Sequence, residues 1–137
     1  MFAVVSEINW IAVAVSTVVL AGLGAVYFMF VIPRQYASAL GRENAPAPER
    51  RTVDGIGPLV CTVVNVLTSG LLFAALRITS VGDALAFGVI VGVGYLAAMT
   101  FNIAINPNFP HPLRYGVLNA PYFLVGSVIT SLALVLI

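Results

Sequence analysis

The side chains that could bind a ligand or react are few, and most are amides, hydroxyls and phenols set inside long apolar segments. Thr62, Asn65 and Ser69 follow one another at helical spacing, so they share one face of a helix. Asn119 and Tyr122 repeat this arrangement near the C-terminus. Polar groups are costly to place inside apolar segments, and each is therefore a candidate for function.

We predict a polar pocket built from residues that fall at similar depths in different helices. Its members are Tyr27, Asn65, Asn102, Asn119 and Tyr122. Asparagine amides and tyrosine hydroxyls could hydrogen-bond a small ligand in such a pocket. Alternatively, they could satisfy one another between helices, as polar groups do in many membrane bundles. The sequence leaves both interpretations open.

Most catalytic and metal-binding chemistry lacks the residues that it needs. No carboxylate lies within a long apolar segment, so a carboxylate proton relay is not expected. His111 is the single histidine and has no recognisable partner for a catalytic triad or a metal site. The single cysteine, Cys61, excludes an intramolecular disulfide, and we expect it to be a small buried apolar residue. No cofactor or metal is predicted.

An enzyme is the weakest of the functional hypotheses. A cofactor-free enzyme acting on a lipid-soluble substrate would have Tyr27, Tyr95 and Tyr122 as acid and base candidates. A tyrosine with a pKa of about 10 needs an activating neighbour to act near neutral pH. The sequence shows none.

The composition predicts the elements that carry these residues. The 137 residues are 61% hydrophobic and only 8% charged, with a net charge of +1. This predicts an all-α membrane protein in a lipid bilayer and gives no basic surface for nucleic acid. Each membrane span needs roughly 20 apolar residues. The four predicted spans are 9–32, 55–78, 84–105 and 115–137.

The arginines predict the orientation of these spans in the membrane. The connection 33–54 holds four of the six basic residues, and the connection 106–114 holds Arg114. The positive-inside rule places both connections in the cytoplasm and both termini outside. Short links favour an antiparallel bundle of four transmembrane helices in a single domain, 1–137.

Small residues predict where the helices approach one another closely. Gly88 and Gly92 form a GxxxG pattern, and Gly22, Gly24 and Gly126 lie in the first and last spans. They could pack helices within one chain or form the interface of an oligomer.

The order of the segments resembles that of a known bacterial family. Asn9-Trp10 opens the first span and Tyr27-Phe28 closes it, while residues 115–120 (Tyr-Gly-Val-Leu-Asn-Ala) open the last. In these features the chain resembles the domain of unknown function 1761 family, small four-helix membrane proteins. The resemblance covers nearly the whole chain and implies a fold and a membrane location but no activity. The family commonly has Tyr-His where this chain has Tyr122-Phe123, and often has Trp at the position of Val26.

Two hypotheses for function come from different classes. The first is a small-solute transporter, channel or ligand-binding protein that uses the polar pocket and acts as a homo-oligomer. The second is a non-catalytic accessory or assembly subunit of a larger membrane complex, suggested by the lack of reactive groups and by the glycine-rich helix faces.

Overall fold

The computed structural model describes residues 2–46, 49 and 51–137. Within these residues the chain forms five helices and no strand, preceded by a 3-10 turn at Phe2–Glu7. The helices are α1 Trp10–Val31, α2 Pro33–Ala39, α3 Thr52–Ala75, α4 Val81–Ala104 and α5 Pro112–Leu136. The last turns of α1 are π-helical, as is the middle of α4 at Ile90–Ala97.

Four of these helices are long and apolar enough to cross a membrane, as the sequence predicted. α1, α3, α4 and α5 contain 22, 24, 24 and 25 residues, with mean hydropathies of 2.2, 1.9, 2.0 and 1.6. At 1.5 Å per residue each is about 33–38 Å long, which exceeds a hydrocarbon core of about 30 Å.

Polar residues at the helix starts shift α3 and α4 by three residues from the predicted spans. The Asp54 carboxylate accepts a hydrogen bond from the Arg51 backbone N–H at 2.9 Å, so α3 begins before the apolar run. The Ser80 hydroxyl accepts from the Asp83 N–H at 3.1 Å and starts α4. Such N-terminal caps supply acceptors for backbone donors that have no partner within the helix.

The connection 33–54 differs from the predicted loop because part of it is helical. Pro33 occupies the first position of α2, where its fixed φ suits a helix and its missing N–H costs nothing. Ala47, Pro48 and Arg50 of this connection lie outside the described residues.

The closest helix contact joins α4 to α5 through two glycines. A Cβ added at Gly88 would lie 2.9 Å from the Cα of Val128, and one at Gly92 would lie 2.8 Å from the Cα of Leu124. No real side chain fits at such distances, so the two backbones pack directly against each other.

A buried apolar cluster closes one end of the molecule. It unites the start of α1, the end of α3, the start of α4 and the end of α5. Phe73 and Phe87 pack edge to face there, with ring centroids 5.7 Å apart. The members of this cluster are Ile8, Ala12, Val13, Leu20, Val66, Phe73, Ala84, Phe87 and Leu134.

Candidate functional site

A cavity of about 710 Å³ lies between α1, α3 and α5. It extends from the buried apolar cluster toward α2. Its deep end reaches Ser69 and Thr130, and its opposite end, called the mouth below, lies at Tyr36 and the exposed Asp54. Asp54 and Ser69 are 15 positions apart on α3, so the cavity follows that helix for about 22 Å.

Residues from five helices line this cavity, with α2 and α4 contributing one residue each. They are Leu20, Ala21, Gly24, Ala25, Phe28, Met29, Tyr36, Asp54, Gly55, Pro58, Leu59, Cys61, Thr62, Asn65, Ser69, Leu96, Tyr115, Asn119, Tyr122, Phe123, Gly126, Ser127 and Thr130.

The cavity exists because only the second half of α3 packs into the bundle. Val66, Gly70 and Phe73 are buried, whereas the side chains of Val53 and Val60 are more than half exposed. The first half of α3 also contains Gly55, Gly57 and Pro58, which offer little apolar side chain for packing. The helix therefore stands away from its neighbours over this half.

Cys61 lies in this unpacked half, which overturns the expectation that it is buried. Its side chain is exposed and lines the cavity. Composition alone could not show this, because the same apolar run would bury Cys61 if α3 packed along its whole length.

Asn65 and Ser69 are the unpaired polar groups of the cavity. They lie one helical turn apart on the face of α3 that lines it. Neither side chain has a hydrogen-bond partner among the described residues, although Ser69 is buried. The amide of Asn65 offers both a donor and an acceptor, and the hydroxyl of Ser69 can act as either. These two groups can therefore bind a polar atom of a ligand.

The facing polar groups of α5 already donate hydrogen bonds to their own helix. The Asn119 amide donates to the Tyr115 carbonyl at 2.7 Å, and the Thr130 hydroxyl donates to the Gly126 carbonyl at 3.0 Å. The Ser127 hydroxyl donates to its own helix in the same way, at 2.8 Å. The two hydroxyls keep only acceptor lone pairs, whereas the Asn119 amide keeps its second N–H and its carbonyl oxygen, so this wall can both accept and donate.

Tyr122 lines the cavity, and Tyr27 stacks behind it. Their rings are stacked with centroids 6.3 Å apart. The Tyr122 hydroxyl donates to the Leu20 carbonyl at 3.3 Å, and the Tyr27 hydroxyl donates to the Leu118 carbonyl at 2.9 Å. The two phenols thus join α1 to α5 and hold one wall of the cavity in place.

Asn102 is the predicted site residue that the structure places elsewhere. Its side chain is exposed, and its amide contacts only the sulfur of Met99, at 3.9 Å. The sequence grouped Asn102 with the pocket by its depth in the helix, and depth does not show which way a side chain faces. The π-helical turns at Ile90–Ala97 widen the spacing, so Gly92 faces α5 while the Tyr95 ring is 70% exposed.

The remaining predicted packing glycines fall into two groups. A Cβ at Gly24 would lie 3.0 Å from the Tyr122 hydroxyl, and one at Gly126 would lie 3.5 Å from Leu20, so both face the neighbouring helix. Gly22 has open space beside it, with no atom within 4 Å.

Two tyrosines at the mouth were not among the predicted site residues. The hydroxyls of Tyr36 and Tyr115 are 3.3 Å apart. Burial and this hydrogen bond hold the pKa of Tyr36 above its usual range, so its phenol stays neutral. Tyr115 lies one turn before Asn119, which is a signal that the sequence offered, whereas Tyr36 follows no periodic pattern.

Two successive hydrogen bonds connect α2 to the start of α5 beside this mouth. The Arg114 guanidinium donates to the Ser38 hydroxyl at 2.5 Å, and that hydroxyl hydrogen-bonds to Glu43. Across the described ranges, no three histidine, cysteine or acidic side chains come together in a way that could hold a metal ion.

Comparison with curated proteins and with solved structures gives no match. The sequence model of one family does match, over residues 11–135, and this confirms the resemblance drawn from the helix order. The chain therefore belongs to the family described as protein of unknown function (DUF1761).

Proposed function

We propose that this protein is a multi-pass protein of a bacterial cytoplasmic membrane. The support is the four long apolar helices and the arginine-rich connections at one end of them. In this arrangement α1, α3, α4 and α5 form an antiparallel bundle, with both termini outside and α2 on the cytoplasmic side.

Its function in that membrane is to bind a small molecule in the cavity between α1, α3 and α5. The observation that carries the proposal is the unpaired amide of Asn65 beside the unpaired hydroxyl of Ser69, both lining a space of about 710 Å³. That volume lies within the range of about 300–1,000 Å³ typical of ligand pockets. An apolar site with a few convergent polar groups is the usual form of such pockets. Transport of the bound molecule is a further step that oligomer formation would allow.

Native mass spectrometry of the protein in lipid nanodiscs from its own host tests this function. We expect an additional small mass on the wild-type protein that is lost in Asn65→Leu. Thr68→Leu is the matched control, because Thr68 is exposed, lies outside the cavity and bonds its own helix. Absence of any bound mass from the wild-type protein, or equal retention in Asn65→Leu, would overturn the proposal.

Assembly with a second subunit is the other candidate function. Gly22 and Gly94 both have open space beside them, which leaves room for another helix on α1 or α4. The partner would be a second copy or a different membrane subunit. The same nanodisc spectra distinguish these assemblies, because a homo-oligomer gives multiples of one mass and a mixed complex does not.

A further inference from the structure

We infer that the ligand of this cavity is an uncharged amphiphile that enters sideways from the lipid, and this inference rests on the proposed binding function. The charges around the cavity are the first argument. No arginine lines it among the described residues, and its single carboxylate, Asp54, lies at the mouth. An ion in an apolar site needs a partner charge, because desolvation is otherwise too costly.

The one charged residue that lines the cavity, among those described, is already paired. The Arg51 guanidinium lies 3.1 Å from the Asp54 carboxylate, and its Nε also donates to that group at 3.4 Å. Tyr36 and Tyr115, the phenols at this end, share a hydrogen bond at 3.3 Å. Arg42 and Arg114 belong to the surroundings of the mouth but do not line the cavity. Among the described residues that line it, neither a cationic nor an anionic ligand therefore finds a free counter-charge.

The side walls supply the second argument. Ala25, Met29, Leu59 and Cys61 line the cavity and are exposed. In a bilayer these residues face hydrocarbon, so the gaps beside α3 open to lipid. An apolar chain can lie in such a gap while its polar end reaches inward.

The polar end meets Asn65 and Ser69 at about the middle of α3. A hydroxyl or carbonyl of the ligand completes the hydrogen bonds that these two side chains lack. The aromatic rings of Phe28, Tyr122 and Phe123 line the cavity beside them and provide flat apolar contacts. The ligand class is therefore a lipid-soluble molecule with one uncharged hydrogen-bonding group.

Photolabelling of the full-length protein in nanodiscs tests this class directly. The probes are a long-chain alcohol carrying a diazirine in its chain and the carboxylic acid of the same chain length and diazirine position. We expect the alcohol to label the cavity residues saturably and the acid to label them much less. Labelling by the alcohol should fall about three- to tenfold in Asn65→Leu, as loss of one hydrogen bond in an apolar site implies. Thr68→Leu should label as the wild type does, and matching helical content and elution volume would show that both variants fold.

The outcomes separate this inference from the proposed function. Equal cavity labelling by the acid, or labelling that ignores Asn65→Leu, would overturn the uncharged-amphiphile class. If the nanodisc spectra still show a bound mass that depends on Asn65, the cavity binds a ligand of another class and the proposed function stands. If neither probe labels the cavity and the spectra show no bound mass, both the ligand class and the proposed binding function are wrong.

Discussion

The contact between α4 and α5 and the space between α1, α3 and α5 are two opposite uses of small residues. On the packed side, meaning the α4–α5 contact, Gly88 and Gly92 let two backbones meet with no room for a methyl group. On the open side, meaning the cavity, Gly55 and Gly57 lie in the first half of α3, which is mostly exposed. The same residue type therefore brings helices together only where the facing backbone is also in reach.

Filling the packed side should have the largest effect on stability. Gly92→Val places atoms where the Leu124 backbone already lies 2.8 Å from a built Cβ, so α4 and α5 must separate. We expect a loss of about 3 kcal/mol in the free energy of unfolding, at the upper end for overpacked cores. Gly94→Val is the control, because no atom lies within 4 Å of that position. Reversible unfolding in micelles measures both, and equal losses would show that the close approach of α4 and α5 at Gly92 is not the cause.

Substitution beside the cavity should cost less, because a side chain can move where a backbone cannot. Gly24→Ala pushes against the Tyr122 hydroxyl, 3.0 Å from the built Cβ, and disturbs its bond to the Leu20 carbonyl. We expect a loss of about 1 kcal/mol. Gly22→Ala, two residues away with open space, should instead gain up to about 1 kcal/mol of helix propensity. The same unfolding assay should give opposite signs, and a shared sign would count against this assignment of the wall.

The buried hydroxyl of Ser16 should destabilise the folded protein. Ser16 is fully buried, and its hydroxyl has no hydrogen-bond partner among the described residues. Ser16→Ala removes this unsatisfied group, so we expect a gain of about 1 kcal/mol. An increase in Tm in micelles would support this, whereas a decrease would mean that the hydroxyl has a partner.

The smallest effect is expected from the loss of one of the two tyrosine hydrogen bonds that join α1 to α5. Tyr27→Phe removes the bond to the Leu118 carbonyl and keeps the stacked ring. Such bonds average about 0.6 kcal/mol in membrane bundles. Tyr95→Phe is its control, since the Tyr95 ring is largely exposed and has no recorded hydrogen bond in the described chain. A change in Tyr95→Phe as large as that in Tyr27→Phe would contradict the wall-holding role of Tyr27.

The sequence predicted the four long helices well, because apolar length and helix punctuation are local properties. It also selected Asn65, Asn119 and Tyr122, which the structure brings to one cavity. Asn102 was grouped with them by its depth, which does not show which way a side chain faces. No pattern in the sequence marked the π-helical turns of α4, which change the facing of the residues around them.

The cavity itself could not be predicted from the order of residues. It depends on α3 packing along its second half and not its first, a property of the whole bundle. The role of Tyr36 was missed for a similar reason, since its contact with Tyr115 joins residues 79 positions apart.

The attachment of α3 at one end has a mechanical consequence. The helix is packed near Phe73 and exposed near Gly55, 18 positions away. At 1.5 Å per residue these positions are about 27 Å apart, so a tilt of the helix by about 10° about its packed end displaces its N-terminal end by about 5 Å. That displacement is about the width of one hydrocarbon chain, so a small angular change at the closed end alters the width of the mouth by a whole acyl chain.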